Sequence, residues 1–124
     1  MSPRSWQQRI AGIIESAEKI LAAVEGVEFS RFASDTLLRD AVLYNVVIIG
    51  EAARYVPADG QNRYPEVPWR ELREIRNFVT YVYHRVSYRH IWRTIATDLP
   101  VMVPRLRVLL EKETGPASGS RSNE

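Results

Sequence analysis

Apolar residues recur along this chain at steps of three and four, the spacing that returns once per helical turn. In the first segment, from about residue 3 to 25, Trp6, Ile10, Ile13, Ile14, Ala17, Ile20, Leu21 and Val24 form one stripe. Gly26 follows as a stop. A connection comes next, in which Phe29 and Phe32 are expected to anchor against the helices. The second segment opens at Ser34 or Asp35, either able to cap free amides, and runs to about Tyr55. After Ala41 its apolar positions cover nearly the whole circumference, which predicts a central helix or one in a subunit interface. Pro57, Gly60, Pro65 and Pro68 break the chain over 56–67, the longest predicted loop. A third helix is expected from Pro68 to Tyr83 or His84. A fourth starts near Ser87 and continues through Leu110, bent near Asp98 because Pro100 and Pro104 each remove a backbone bond. No run reads convincingly as a strand.

Four amphipathic helices with short links predict an all-α fold, an antiparallel up-down four-helix bundle with a bent last helix. Residues 1–112 form its one domain, and 113–124, rich in Gly, Ser, Pro and charge, a disordered tail. The second helix, together with Trp6, Tyr44 and Trp69, leaves surplus apolar surface, and a homodimer is the expected cover for it.

Charge refines this picture. Of 17 cations only Lys19 and Lys112 are Lys, so the net charge of +2 conceals a strong bias to Arg, whose planar fork matches phosphate. A genome rich in G and C would give the same bias. There is no Cys, which excludes disulfides and thiolate chemistry. No secretory or membrane-spanning run is present, and a cytoplasmic location is expected. The two histidines, His84 and His90, carry no metal-ligand spacing, and no glycine-rich phosphate loop occurs; neither metal nor cofactor is expected.

The remaining chemistry gathers in the third and fourth segments. Arg70, Arg73, Arg76, Arg85, Arg89 and Arg93 alternate with Tyr81, Tyr83, Tyr88 and Trp92. Cations interleaved with stacking rings are what single-stranded RNA binding requires; the plainer reading is a solvated face neutralised by Glu71 and Glu74. Arg73, Arg76, Thr80 and Tyr83 fall on one helical row. Asn45 and Glu51 are placed in or beneath the same groove, although ordinary helix polarity explains them as well. Metal-free cleavage of RNA needs a base for the ribose 2′-OH and a cation for the transition-state charge. Arg76 suits the second role. Tyr81 is a poor base, since a free phenol titrates near pH ~10. His84 is chemically able but lies eight residues from Arg76, about 12 Å along a helix. It would reach that cation only across a dimer axis.

From about Trp6 to Leu110 the chain resembles the HepT-like (DUF86) family of HEPN-domain toxins. The resemblance rests on the opening helix, Asp40-Ala41-Val42-Leu43-Tyr44-Asn45 leading to Ile49-Gly50-Glu51-Ala52-Ala53, Ile75-Arg76-Asn77, and Asp98-Leu99-Pro100. It implies a dimer that brings two copies of the motif to one cleft, metal-independent ribonuclease activity in a toxin–antitoxin system, and a minimal nucleotidyltransferase antitoxin. The family motif is Arg, four to six residues, His, one residue, Tyr. Arg76 takes the first position, with Asn77 after it, and Tyr83 the last. By resemblance, Tyr83 is where the antitoxin adds AMP. RNA contacts are then expected from Arg73, Asn77, Thr80, His84 and Arg85.

The chain departs from the motif at one place: Tyr81 stands in the His slot. An engineered inactive toxin or a natural variant that kept binding but lost cleavage ranks above His84 having taken over the work. Tyr81 acting as the base, its pKa lowered by neighbouring cations, ranks last. A non-catalytic helical module that docks a nucleotidyltransferase and holds RNA or nucleotide is the competing function.

Overall fold

The structure, a computed structural model, describes residues 5–83 and 88–115, and within them every side chain except those of Arg76 and residues 78–83. The long helices are α1 (Trp6–Val24), α3 (Thr36–Ala53), α5 (Trp69–Tyr83) and α7 (Leu99–Thr114); α2 (Phe29–Ser34), α4 (Ala58–Arg63) and α6 (Tyr88–Arg93) are short. A five-residue π-helical turn, Thr94–Asp98, joins α6 to α7. Among the described residues there is no strand, so the all-α expectation holds.

Local chemistry sets the helix ends. Ser5 and Gln8 form a reciprocal capping box at the start of α1, with Ser5 Oγ accepting from the Gln8 amide at 3.1 Å and Gln8 Oε1 accepting from the Ser5 amide at 3.0 Å. Past the end of α1, Gly26 sits at φ +72°, a left-handed conformation that suits a residue without Cβ. Asp35 Oδ1 caps α3 by accepting from the Leu38 amide at 3.1 Å. Where a bend was expected near Asp98, the backbone makes a π turn. Pro100 has no N–H to return to the preceding turn, and the Leu99 amide bonds five residues back to the Thr94 carbonyl. The predicted cap at Ser87 lies outside the described residues.

Packing follows the apolar stripes. Ile10, Ile13, Ala17 and Ile20 of α1 are fully buried against α3 on one side and α7 on the other. α3 lies between α1 and α5, and its Val42, Val46 and Ile49 are buried. This is the central position its apolar circumference predicted. Gln7 of α1 bonds Glu113 and Glu18 pairs with Arg107, so α1 and α7 run antiparallel. At the other edge, Phe32 is fully buried, with Trp92 of α6 at 5.0 Å and Tyr88 at 6.4 Å between ring centroids. The two Phe residues thus anchor α2 against α6, as expected.

Two expectations need correction. The breaker-rich segment 56–67 holds α4, whose Gly60 lets the Trp6 ring approach; a Cβ there would stand 3.2 Å from that ring. Trp6 and Trp69 do not contribute surplus surface. Trp6 packs against the core, and Trp69 is buried with its indole N–H donating to the Tyr64 carbonyl at 2.9 Å. The last helix, α7, continues through Thr114. Leu37 at 84% exposure and Tyr44 at 67%, both on α3, are the most exposed large apolar side chains among the described residues.

Glu113 is the reason the helix runs on. Its carboxylate accepts from Tyr64 Oη at 2.5 Å, Arg63 Nη2 at 3.0 Å and Gln7 Nε2 at 2.9 Å, with only 12% of its side chain exposed. The Tyr64 bond, then the Gln7 and Arg63 bonds, hold its pKa below the usual carboxylate range. Burial, then the bond to Glu113, raises the Tyr64 phenol and keeps it a donor. A depressed carboxylate stabilises the fold above its unfolded pKa and loses that contribution as pH falls through the folded one. We therefore expect Glu113→Gln to destabilise the chain by about 1–2 kcal/mol at pH 7, with the two proteins converging in acid. Thermal unfolding followed by circular dichroism at both pH values tests this; equal melting at pH 7 contradicts it.

Candidate nucleic-acid interface

The register of α5 is set by what it buries. Trp69, Leu72 and Ile75 turn into the core. The same register leaves Arg70, Arg73, Glu74 and Asn77 exposed to solvent. The backbone stays helical through Tyr83. On a continuous helix, positions 73, 76, 80 and 83 recur at steps of three and four and make one row. Position 81 is five residues from 76, about 140° around the axis, and belongs to the neighbouring row with 74 and 77.

Of the predicted contact residues, Arg73 and Asn77 are exposed on α5, as RNA contact requires. Arg73 Nη1 donates to Gln61 Oε1 at 3.0 Å, and Gln61 Nε2 donates to the Val56 carbonyl at 3.2 Å. The side chains of Arg76, Thr80, Tyr81 and Tyr83, and the whole of His84 and Arg85, lie outside the described part of the structure. Asn45 Nδ2 donates to the Ala41 carbonyl at 3.0 Å, within its own helix. Glu51 is exposed and pairs with Arg54 at 3.0 Å. Gln61 and Arg54 were missed because each lies in a stretch where sequence spacing gives no alignment with α5. Only the α3–α4–α5 packing brings them beside Arg73.

The string of arginines divides into separate environments. Arg70 pairs with Glu74 at 3.4 Å, an exposed pair of small energetic weight. Arg89 lies 4.1 Å above the Phe29 ring, and Arg93 Nη2 is 3.3 Å from His90 Nδ1. Each of these three cations thus has a partner of its own. Glu71, Glu74 and Asp98 make an acidic flank beside them. Burial first, then repulsion from Glu71 and Glu74, raises the Asp98 carboxyl above its usual value, and Arg93 and His90 oppose the shift. A raised acid binds its proton more tightly in the fold, so stability falls as pH rises from the ordinary Asp range through the folded value. Asp98→Asn is accordingly expected to melt at or above the parent temperature at pH 7, with the gain shrinking in acid. A lower melting temperature at pH 7 would mean that the carboxylate has a favourable partner at the head of α7.

The family model described as "Ribonuclease HepT-like" matches residues 13–109. The chain belongs to the HepT-like ribonuclease family. "Probable ribonuclease HepT" of Thermococcus cleftensis is 33% identical over 97 residues, covering 78% of this chain and 88% of that protein. "Putative RNase TTE0752" of Caldanaerobacter subterraneus subsp. tengcongensis is 30% identical over 112 residues, covering 90% and 97%. "Putative RNase MJ1380" of Methanocaldococcus jannaschii is 28% identical over 109 residues, covering 88% and 100%. No solved structure matches the chain. The HepT-like match begins within α1, ends within α7 and includes the whole of α5. Among the described residues, no group of three His, Cys, Asp or Glu side chains is placed to hold a metal ion. No described helix is long and apolar enough to cross a membrane.

Proposed function

We propose that this HepT-like chain is the toxin half of a cytoplasmic toxin–antitoxin pair, an RNA endonuclease of the HEPN class working without metal as a homodimer. Family membership carries this reading. The continuous helix α5 supports it, with Arg73 and Asn77 exposed on either side of Arg76 along the chain. In the reaction, the ribose 2′-oxygen forms a bond to phosphorus as its proton leaves. The P–O5′ bond then breaks and the 5′-oxygen takes up a proton. Arg76 is assigned to the charge that builds on the phosphoryl oxygens, since a guanidinium stays charged and binds two oxygens together.

Positions 76 and 81 diverge by about 140° on one helix, so a cleft completed by a second copy suits the motif better than one helix alone. The exposed Leu37 and Tyr44 on α3 supply apolar surface for such a pairing. Tyr83 is proposed as the site of AMP addition by a nucleotidyltransferase antitoxin. A nucleotide there would fill the groove and offer its phosphate to Arg76. Thr80, His84 and Arg85 are proposed RNA contacts beside Arg73 and Asn77.

Tyr81 favours a second reading at the chemical step. A phenol in the proton-moving slot is protonated at neutral pH, so the chain binds RNA and cleaves it slowly or not at all, as a non-catalytic binding and docking module would. Both readings meet one experiment, RNA cleavage in EDTA by the parent and by Tyr81→His. A well-placed general base or acid contributes about 10²–10⁴-fold, and we expect Tyr81→His to be faster by at least the lower figure. A parent that already cleaves rapidly, and loses that activity on His84→Ala, contradicts the assignment of the slot to position 81.

A further inference from the structure

We propose that the cavity between the end of α3, the short helix α4 and the first turns of α5 is a phosphate subsite for single-stranded RNA. In it Arg54 and Arg73 hold one phosphodiester of a strand whose neighbouring linkage lies at Arg76. The inference rests on the RNA reading above and adds residues to it.

The cavity has a volume of about 330 Å³ and is lined by Gly50, Ala53, Arg54, Gln61 and Arg73. That is near the lower end of ordinary ligand sites, roughly 300–1,000 Å³. Gly50 and Ala53 are both buried and carry little or no side chain. The two guanidinium groups, one from the C-cap of α3 and one from α5, line the same space. Gln61 positions one of them. Its amide is fixed from two sides, donating to the Val56 carbonyl at 3.2 Å and accepting from Arg73 Nη1 at 3.0 Å. A guanidinium has five N–H donors, and the Gln61 bond uses one of them. Arg54 is paired with Glu51 at 3.0 Å, the two side chains being 47% and 50% exposed. An ion pair so open to water is weak and can give way to a phosphate. Arg73 precedes Arg76 by three residues, about 4.5 Å of helix rise. Cations at such a spacing suit the repeated charges of one strand better than an isolated anion.

The test is the binding of a fluorescently labelled single-stranded RNA to the full chain across a salt series. The slope of log affinity against log salt changes by about 0.7 for each phosphate contact on a single strand. Arg54→Ala is expected to flatten the slope by about that amount and Arg54→Lys to restore most of it. Gln61→Glu should weaken binding at least as much as Arg54→Ala, because a carboxylate there would pair with Arg73 and repel phosphate. Lys19→Ala, on α1 and paired with Glu15, should leave the slope unchanged. At matched ionic strength, inorganic phosphate should compete with RNA for the parent more than for Arg54→Ala. If the parent binds RNA with a clear salt slope that Arg54→Ala and Gln61→Glu leave intact, the subsite is wrong and the RNA reading survives. If the parent shows no salt-dependent binding, both fall.

Discussion

The seam between α3 and α5 is the constraint on which the rest of the molecule depends. α3 buries one side against α1 and the other against α5, and this fixes the rotation of α5 about its own axis. With Trp69, Leu72 and Ile75 facing inward, Arg73 and Asn77 are left on the exposed side of the helix. The same seam brings the last turn of α3 beside the first turns of α5, and so sets Arg54 next to Arg73 around one cavity. A one-residue change in the register of α5 would bury a guanidinium and expose Leu72. Placing an unpaired charge in the core costs far more than the apolar contact it would replace.

Electrostatics then divides the surface. The chain carries 17 cations and 15 acids, and several of its arginines are paired with carboxylates. Arg63 is drawn to Glu113 and Asp59, Arg70 to Glu74, and Arg107 to Glu18. Arg9 and Arg39 lie over the Tyr55 and Tyr88 rings at 3.5 and 4.6 Å. Arg73 differs from these in its partner. It meets a neutral amide, which orients the guanidinium without neutralising it. The acidic flank of Glu71, Glu74 and Asp98 bounds this basic region on the side of the π turn.

Much of the fold was legible in the sequence because the four long helices carry clean three- and four-residue apolar spacing. The central place of α3 could be read from residues apolar around nearly its whole circumference. The disturbance near Asp98 could be read from Pro100. The short helices α2 and α4 were not legible, since six residues are too few to show a period. The Ser5–Gln8 capping box is a finding of the structure that the helical spacing did not announce. Trp69 looked exposed because its neighbours are polar; the Tyr64 carbonyl that accepts its N–H comes from the preceding loop. Glu113 read as the start of a tail because it borders the Gly-, Ser- and Pro-rich residues at the C-terminus. Its three donors come from residues 7, 63 and 64, contacts that no local pattern could announce. At the site, the row through Arg73 and Arg76 was legible as helix spacing. The cavity with Arg54 and Gln61 was not, because it is a product of packing.

The most direct test of the central claim, that the outer side of α5 meets RNA, is photo-crosslinking from single positions. A photoreactive residue at position 77, exposed on α5, should crosslink to single-stranded RNA, and the yield should fall as salt rises. One at position 108, where the exposed Val108 lies on α7, should not crosslink. Crosslinking from position 108 alone, or equally from both, would place the RNA elsewhere and contradict the account.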